Sequence, residues 1–266
     1  MVRTMLIAAI GSSIVGCSPP TCSTGEEDCY DVRTGRYYAF SPDDGPDDEG
    51  YKLLLYFHGY GSSASKTSKK PWLRKEANRR GYLLVLPDGL DNTWAHEGSP
   101  SRARDEPAFV DDIMEDVLSR WDITDTRVVG GFSQGGSMAW DVACYRGEAF
   151  SAFIHALGGF WEPLPETCAS PVSLRHTHGT ADTVVPMTGR PIGSSHQGDI
   201  ETGFARWRAA NGCAPEPDAV VTEGTETCAV WTACSVGKEL KLCTHPGKHT
   251  KPDGFLPRAL EWAETQ

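Results

Sequence analysis

Apolar residues in this chain come in short unbroken runs, and most of the stretches between the runs are of helical length. KLLLYF (52–57), YLLVLP (82–87), RVVGGF (127–132), FSAFIHAL (150–157) and VSLRHTHG (172–179) are apolar at successive rather than alternate positions. A strand with that pattern is covered on both faces. Between the runs, a helix is predicted over 107–121, with Phe109, Ile113, Met114 and Val117 on one face. Helices are expected over 65–80 and 135–145 as well. Another should end near Asn211, with Asp199 and Glu201 at its start, where acidic residues suit the helix dipole. GRYYAF (35–40) is a strand candidate, and the last strand is expected over 239–244. Buried strands alternating with helices predict an α/β fold, with a mostly parallel central sheet and helices on both faces. No repeat, low-complexity segment or long linker divides the chain, so residues 32–266 read as one domain.

The N-terminus reads differently. Met1-Val2-Arg3 is a short basic segment, and the apolar stretch from Met5 to Val15 is too short to span a bilayer. It ends in Ile14-Val15-Gly16-Cys17, which resembles the bacterial lipobox, where a cysteine is lipidated and becomes the mature N-terminus. Residues 1–16 are therefore expected to be a lipoprotein signal peptide, Cys17 the lipid attachment site, and 17–31 a tether. The acidic SPDDGPDDEG (41–50) reads as a solvated hairpin tip.

The cysteine count fits this reading. Of nine cysteines, setting Cys17 aside leaves Cys22, Cys29, Cys144, Cys168, Cys213, Cys228, Cys234 and Cys243. An even set suits disulfides in an oxidising compartment, and the Cys/His spacings match no common zinc pattern. Cys22–Cys29 should close a small loop, and Cys144–Cys168 should tie a helix end to the next loop. The expected location is a lipid-anchored cell envelope or the extracellular space, with membrane contact only through the lipid. With 25 Lys and Arg against 36 Asp and Glu, the formal charge is −11, which argues against nucleic acid as a partner.

The candidate chemistry lies just after the strands, where ligands bind in open α/β sheets. GGFSQGG (130–136) sets Ser133 between glycine pairs where a strand should end and a helix begin. Gly131-Phe132-Ser133-Gln134-Gly135 is a G-x-S-x-G elbow in its strand–turn–helix context. A serine hydroxyl is too weak an acid to attack an ester unaided. It needs a base, and the base needs a group to orient it. The expected chain order is serine, acid, histidine. Asp182, beyond the strand 172–178, is the candidate acid. Of eight histidines, His245 and His249 both follow the last strand, and the residues alone leave the two open. An oxyanion hole would come from the backbone N–H groups of Gln134 and Tyr60, the latter in His58-Gly59-Tyr60-Gly61, a loop that His58 should help to shape. No cofactor or metal is implied.

These elements resemble the α/β-hydrolase fold. More narrowly, YFHGYGSS, LPDGL, VDDIMEDV, VVGGFSQGGSMAWDVAC, HGTADTVVP, WRAANGC and HPGKHTKP resemble, in order and spacing, the polyhydroxybutyrate depolymerase and feruloyl esterase family. The resemblance covers residues 52–252 and implies Ser133, Asp182 and His249 as the catalytic triad. It also implies a Cys213–Cys234 disulfide, leaving Cys228 with Cys243. The implied activity is a serine carboxylic ester hydrolase acting through an acyl-enzyme on small-molecule or polysaccharide-linked esters. Feruloyl or acetyl esters of plant cell walls are expected first, and short polyesters such as polyhydroxybutyrate next. A catalytically silent surface binding protein and a peptidase of the same fold are the other readings. The family's G-G-H-T-W-P becomes Gly247-Lys248-His249-Thr250-Lys251-Pro252 here, and the missing tryptophan bears on substrate preference more than on the triad.

Overall fold

Leu53 and Leu55 of KLLLYF face one side of a ten-stranded sheet and Leu54 and Tyr56 the other, which is why the run is apolar throughout. The computed structural model describes residues 21–101 and 103–266. The expected signal peptide and Cys17 lie outside the described residues.

A hairpin of β1 (Cys29–Val32) and β2 (Gly35–Phe40) opens the domain. Next come β3 (Tyr51–Phe57), α1 (Ala64–Ser68), α2 (Pro71–Arg79) and β4 (Tyr82–Pro87). They are followed by α3 (Glu106–Arg120), β5 (Ile123–Phe132), α4 (Gln134–Arg146), β6 (Ala152–Ala156) and β7 (Leu174–Gly179). A small separate hairpin pairs β8 (Arg190–Ile192) with β9 (Ser195–Gln197). The chain ends with α5 (Ile200–Asn211), β10 (Ala219–Glu223), β11 (Glu226–Trp231), β12 (Leu240–His245) and α6 (Phe255–Ala263).

The sheet order is β1-β2-β4-β3-β5-β6-β7-β12-β11-β10, parallel from β4 to β12 and antiparallel at both edges. Phe109, Ile113 and Val117 of α3, Trp140 of α4, and Phe204 and Trp207 of α5 cover one face. Leu73 and Ala77 of α2 and Phe255, Leu256 and Leu260 of α6 cover the other. Asp105 caps α3 by accepting the Ala108 amide at 3.1 Å, and Asp199 caps α5 by accepting the Thr202 amide at 2.7 Å.

Three features differ from the sequence reading. The helix expected over 65–80 is two helices, because Pro71 begins the second and holds Lys70 in an extended conformation (φ −84°, ψ 105°). The stretch read as a tether through Asp31 already contributes β1: Tyr30 stacks on Tyr37 at 5.3 Å, and the Cys22 amide donates to Asp31 at 2.8 Å. The β10–β11 hairpin extends the sheet beyond the parallel strands, and β10 is exposed at most of its positions, so no apolar run marks it.

Four disulfides join Cys22 to Cys29, Cys144 to Cys168, Cys213 to Cys234 and Cys228 to Cys243 among the described residues. The last pair stands directly opposite across β11 and β12. No helix among the described residues is long and apolar enough to cross a membrane.

Candidate active site

β5 ends at Phe132 and α4 begins at Gln134, so the whole reversal falls on Ser133, with φ 58° and ψ −127°. A side-chain-bearing residue in that region costs about 1–3 kcal/mol, and the surroundings must hold it there. The Ser133 amide donates to the Ala156 carbonyl of β6 at 2.9 Å. Glycine is obligatory around the bend for a measurable reason. A Cβ on Gly131 would sit 2.0 Å from the Gly135 carbonyl oxygen, and one on Gly135 would sit 2.2 Å from that of Phe57. The elbow is folded tightly enough that only bare backbone fits.

Asp182 stands in the turn after β7, with 5% of its surface exposed. One carboxylate oxygen accepts the amides of Val184 (2.8 Å) and Val185 (2.9 Å), which fixes the plane of the group. The other accepts the Nδ1 proton of His249 at 2.6 Å. With its proton held on that side, His249 presents a lone pair at Nε2, and the Ser133 hydroxyl donates to it at 2.8 Å. The structure thus brings Ser133, Asp182 and His249 together from three loops. It turns His245 elsewhere: Nδ1 of His245 accepts the Gly247 amide at 3.1 Å, and burial holds its pKa below the ordinary histidine value.

Three histidines with no place in the expected site form a buried line behind Asp182. His178 Nε2 donates to the Val185 carbonyl at 2.7 Å. Because a carbonyl only accepts, His178 must receive at Nδ1, and His176 Nε2 donates there at 2.9 Å. The Trp140 indole N–H lies 2.9 Å from His155 Nδ1 and 3.2 Å from His176 Nδ1. Burial pushes all three below the ordinary histidine pKa, His155 to about 3, so they stay neutral. Their positions within strands gave no sign of this line; the i, i+2 spacing of His176 and His178 on one face of β7 was the available signal.

Tyr60 and Gln134 flank Ser133 at the rim of one cleft. Neither backbone N–H has a hydrogen-bond acceptor among the described residues. Their loops are anchored. Gln134 donates through its side chain to Thr93 at 2.7 Å, and the Gly61 amide donates to the Asn92 carbonyl at 2.9 Å. His58 Nε2 accepts the Gly89 amide at 3.0 Å while Nδ1 donates to the Gly59 carbonyl at 2.9 Å. Burial keeps His58 neutral, as that pair of bonds requires.

The cleft above Ser133 has a volume of about 560 Å³. Trp161, Val184, Val185 and Ile192 give it apolar walls, and the β8–β9 hairpin supplies one side. The sequence reading missed this hairpin, whose strands are three residues each. Asp199 and Glu201 are occupied with the start of α5. Lys251, in the place of the missing tryptophan, puts its Nζ 4.1 Å from the Phe132 ring centroid and 4.3 Å from that of Trp72.

No family model matches the chain. A probable feruloyl esterase C of Aspergillus terreus is 31% identical over 193 residues, which are 70% of this chain and 67% of that protein. The chain belongs to the feruloyl esterase family. Feruloyl esterase D of Neurospora crassa is 28% identical across 95% of this family member and 89% of its own length. Among solved structures, an acetyl xylan esterase from Aspergillus awamori superposes with a TM-score of 0.64 at 11% identity, over 87% of this chain and 94% of that one. The fold is that of the α/β-hydrolases, and this feruloyl esterase family member is a carboxylic ester hydrolase.

Proposed function

We propose that this protein is an exported serine esterase that cleaves feruloyl or acetyl esters of plant cell-wall polysaccharide through an acyl-enzyme. The observation that carries the reading is the line Ser133 Oγ–His249 Nε2–His249 Nδ1–Asp182, with separations of 2.8 and 2.6 Å at its two hydrogen bonds. In this mechanism His249 takes the hydroxyl proton as Ser133 Oγ bonds to the ester carbonyl carbon. The negative charge moves to the carbonyl oxygen, which the N–H groups of Tyr60 and Gln134 are free to hold. Collapse of that intermediate breaks the carbon–oxygen bond to the alcohol, which leaves with the proton from His249. Water, deprotonated by the same imidazole, then releases the acid and restores Ser133.

An apolar cleft of this size suits an aromatic acyl group, and the relatives named for feruloyl esters point the same way. Four disulfides accord with an oxidising compartment, and the basic-apolar-Cys17 leader with export and a lipid anchor. In this reading residues 1–16 are removed and 32–266 form the catalytic domain.

A panel of methyl ferulate, acetylated xylan and polyhydroxybutyrate, with wild type and Ser133→Ala, tests the proposal. Hydrolysis of either of the first two by wild type alone, with a serine-directed phosphonate labelling wild type alone, is expected. Labelling that persists in Ser133→Ala would show the nucleophile to be another residue, and turnover of polyhydroxybutyrate alone would replace the cell-wall substrates. Mass spectrometry of the mature N-terminus tests the anchor, which fails if unmodified residues precede Cys17.

A further inference from the structure

Among the described residues lining the cleft of Ser133, only Arg190 carries a charge, and that charge is positive in a chain of net −11. Its Nε donates to Gln197 Oε1 at 3.1 Å, across the hairpin. Among the described residues no carboxylate lies within ion-pair distance, and neither terminal amino group has a hydrogen-bond acceptor. Arg190 is half-buried beside apolar walls and gains no counter-ion among the described residues, so its terminal amino groups are left available to a ligand. A guanidinium fork is also the side chain best matched to a carboxylate, which it can hold through two parallel bonds.

The arginine does not sit on a loose arm. Gly189 turns the chain into β8 at φ 69°, with its amide donating to the Pro186 carbonyl at 2.9 Å. On the far side, Gly198 donates to Phe160 at 2.8 Å and Ile200 to Met187 at 2.8 Å, while Gln197 bridges to Trp161. The hairpin is fixed at its first end to the turn at Pro186 and at its second to Met187 and to the segment around Phe160 and Trp161. Arg190 is therefore held in place before any substrate arrives, which lowers the entropy cost of using it.

We propose that Arg190 anchors a carboxylate carried by the substrate at a distance from the scissile ester, so that the cleft selects esters with a second, ionised acid group. This rests on the reading of Ser133 as the nucleophile of the same cleft. The carboxylate has two possible sources: the acyl part, as in a half-ester of a dicarboxylic acid, or the alcohol part, as in a uronic acid of a polysaccharide. The overall negative charge of the chain opposes an anion at long range, but screening over about 8 Å at physiological salt leaves the local guanidinium in control.

The test measures kcat/KM for matched pairs with wild type, Arg190→Gln and Arg190→Lys. One pair is 4-nitrophenyl hydrogen glutarate against 4-nitrophenyl pentanoate. The other is an acetylated methyl glucuronoside against the same acetylated methyl glucoside. Each ratio of charged to neutral ester is internally referenced, so a general loss of activity or folding cancels. Wild type should favour the charged member of one pair, and the pair that responds identifies the source. Arg190→Gln should lower that ratio at least about tenfold, chiefly through KM, with Arg190→Lys between the two and salt reducing the preference. The proposal is overturned if wild type favours the neutral member of both pairs, or if Arg190→Gln leaves both ratios unchanged. Failure to cleave any of the four esters, with no phosphonate labelling of Ser133, would strike the reading of the nucleophile instead.

Discussion

Nε2 of His249 lies 2.8 Å from Oγ of Ser133, whereas His245, four positions earlier in the chain, accepts the Gly247 amide at its Nδ1. His245 is the last residue of β12, one position beyond the expected strand end, and His249 lies in the loop that follows. Thr180 and Ala181, in the acid turn, donate to the carbonyls of His245 and Gly247 at 2.8 and 3.1 Å, so the chain is pinned there before it curls over the sheet to His249. His249→Ala should lower kcat/KM on 4-nitrophenyl acetate by about four to six powers of ten. His245→Ala should cost about tenfold or less in rate and about 1–2 kcal/mol in stability, since it orphans one amide. Equal losses would leave neither histidine distinguished as the base.

The buried His176–His178 pair should matter through Asp182, not through the substrate. His178→Leu removes the donor that holds the Val185 carbonyl, on the same turn whose amides fix the carboxylate. A fall of about 10- to 100-fold in kcat with little change in KM is expected. His178→Gln, whose amide nitrogen can stand where Nε2 stood, should recover most of it. An equal loss in both variants would assign the residue to packing alone.

The elbow glycines make a stability prediction. Gly131→Ala and Gly135→Ala each force a methyl onto a backbone carbonyl that cannot swing aside. Each should cost about 3 kcal/mol or more, seen as a lowered Tm, and should reduce activity further by shifting Ser133. A Gly131→Ala protein with wild-type Tm would mean that the bend relaxes easily.

What the sequence made legible follows from which features have local causes. The parallel core was readable because a strand covered on both faces must be apolar at every position, as 52–57 and 82–87 are. The bend at Ser133 was readable because its steric demand is met by glycines beside it. The choice between His245 and His249 was not, because it depends on bonds from the Asp182 turn, more than sixty residues away in the chain. The β8–β9 hairpin escaped for another reason: three-residue strands alternate too briefly to set a period, and the bridge that ties Gln197 of β9 to the wall runs to Trp161, far away in the chain. Arg190 and Ile192 were therefore out of view as cleft residues.

Lys251 makes the last prediction. Its ammonium lies between the rings of Phe132 and Trp72, with no ion pair to a carboxylate among the described residues. Burial, helped by the like charge of Lys70, pulls its pKa down to about 8. The two ring faces act in the opposite direction, since each favours the cation by about 0.5–2 kcal/mol. In the unfolded chain the amine returns to about 10.4, so between these values the unfolded state binds more protons. Stability therefore rises as pH climbs through the window from about 8 to about 10.4, and the penalty is present in full below it. Lys251→Met should stabilise the protein at pH 7 by about 1–3 kcal/mol, the desolvation penalty less the lost ring contacts. The gain should shrink as pH rises and vanish by about pH 10.4. Urea midpoints of the two proteins at pH 7 and pH 10 measure it, and comparing the variants cancels the other titrating lysines. If Lys251→Met is instead less stable at pH 7 and equal at pH 10, the rings hold the ammonium more strongly than burial expels it, and the penalty assigned to this site has the wrong sign.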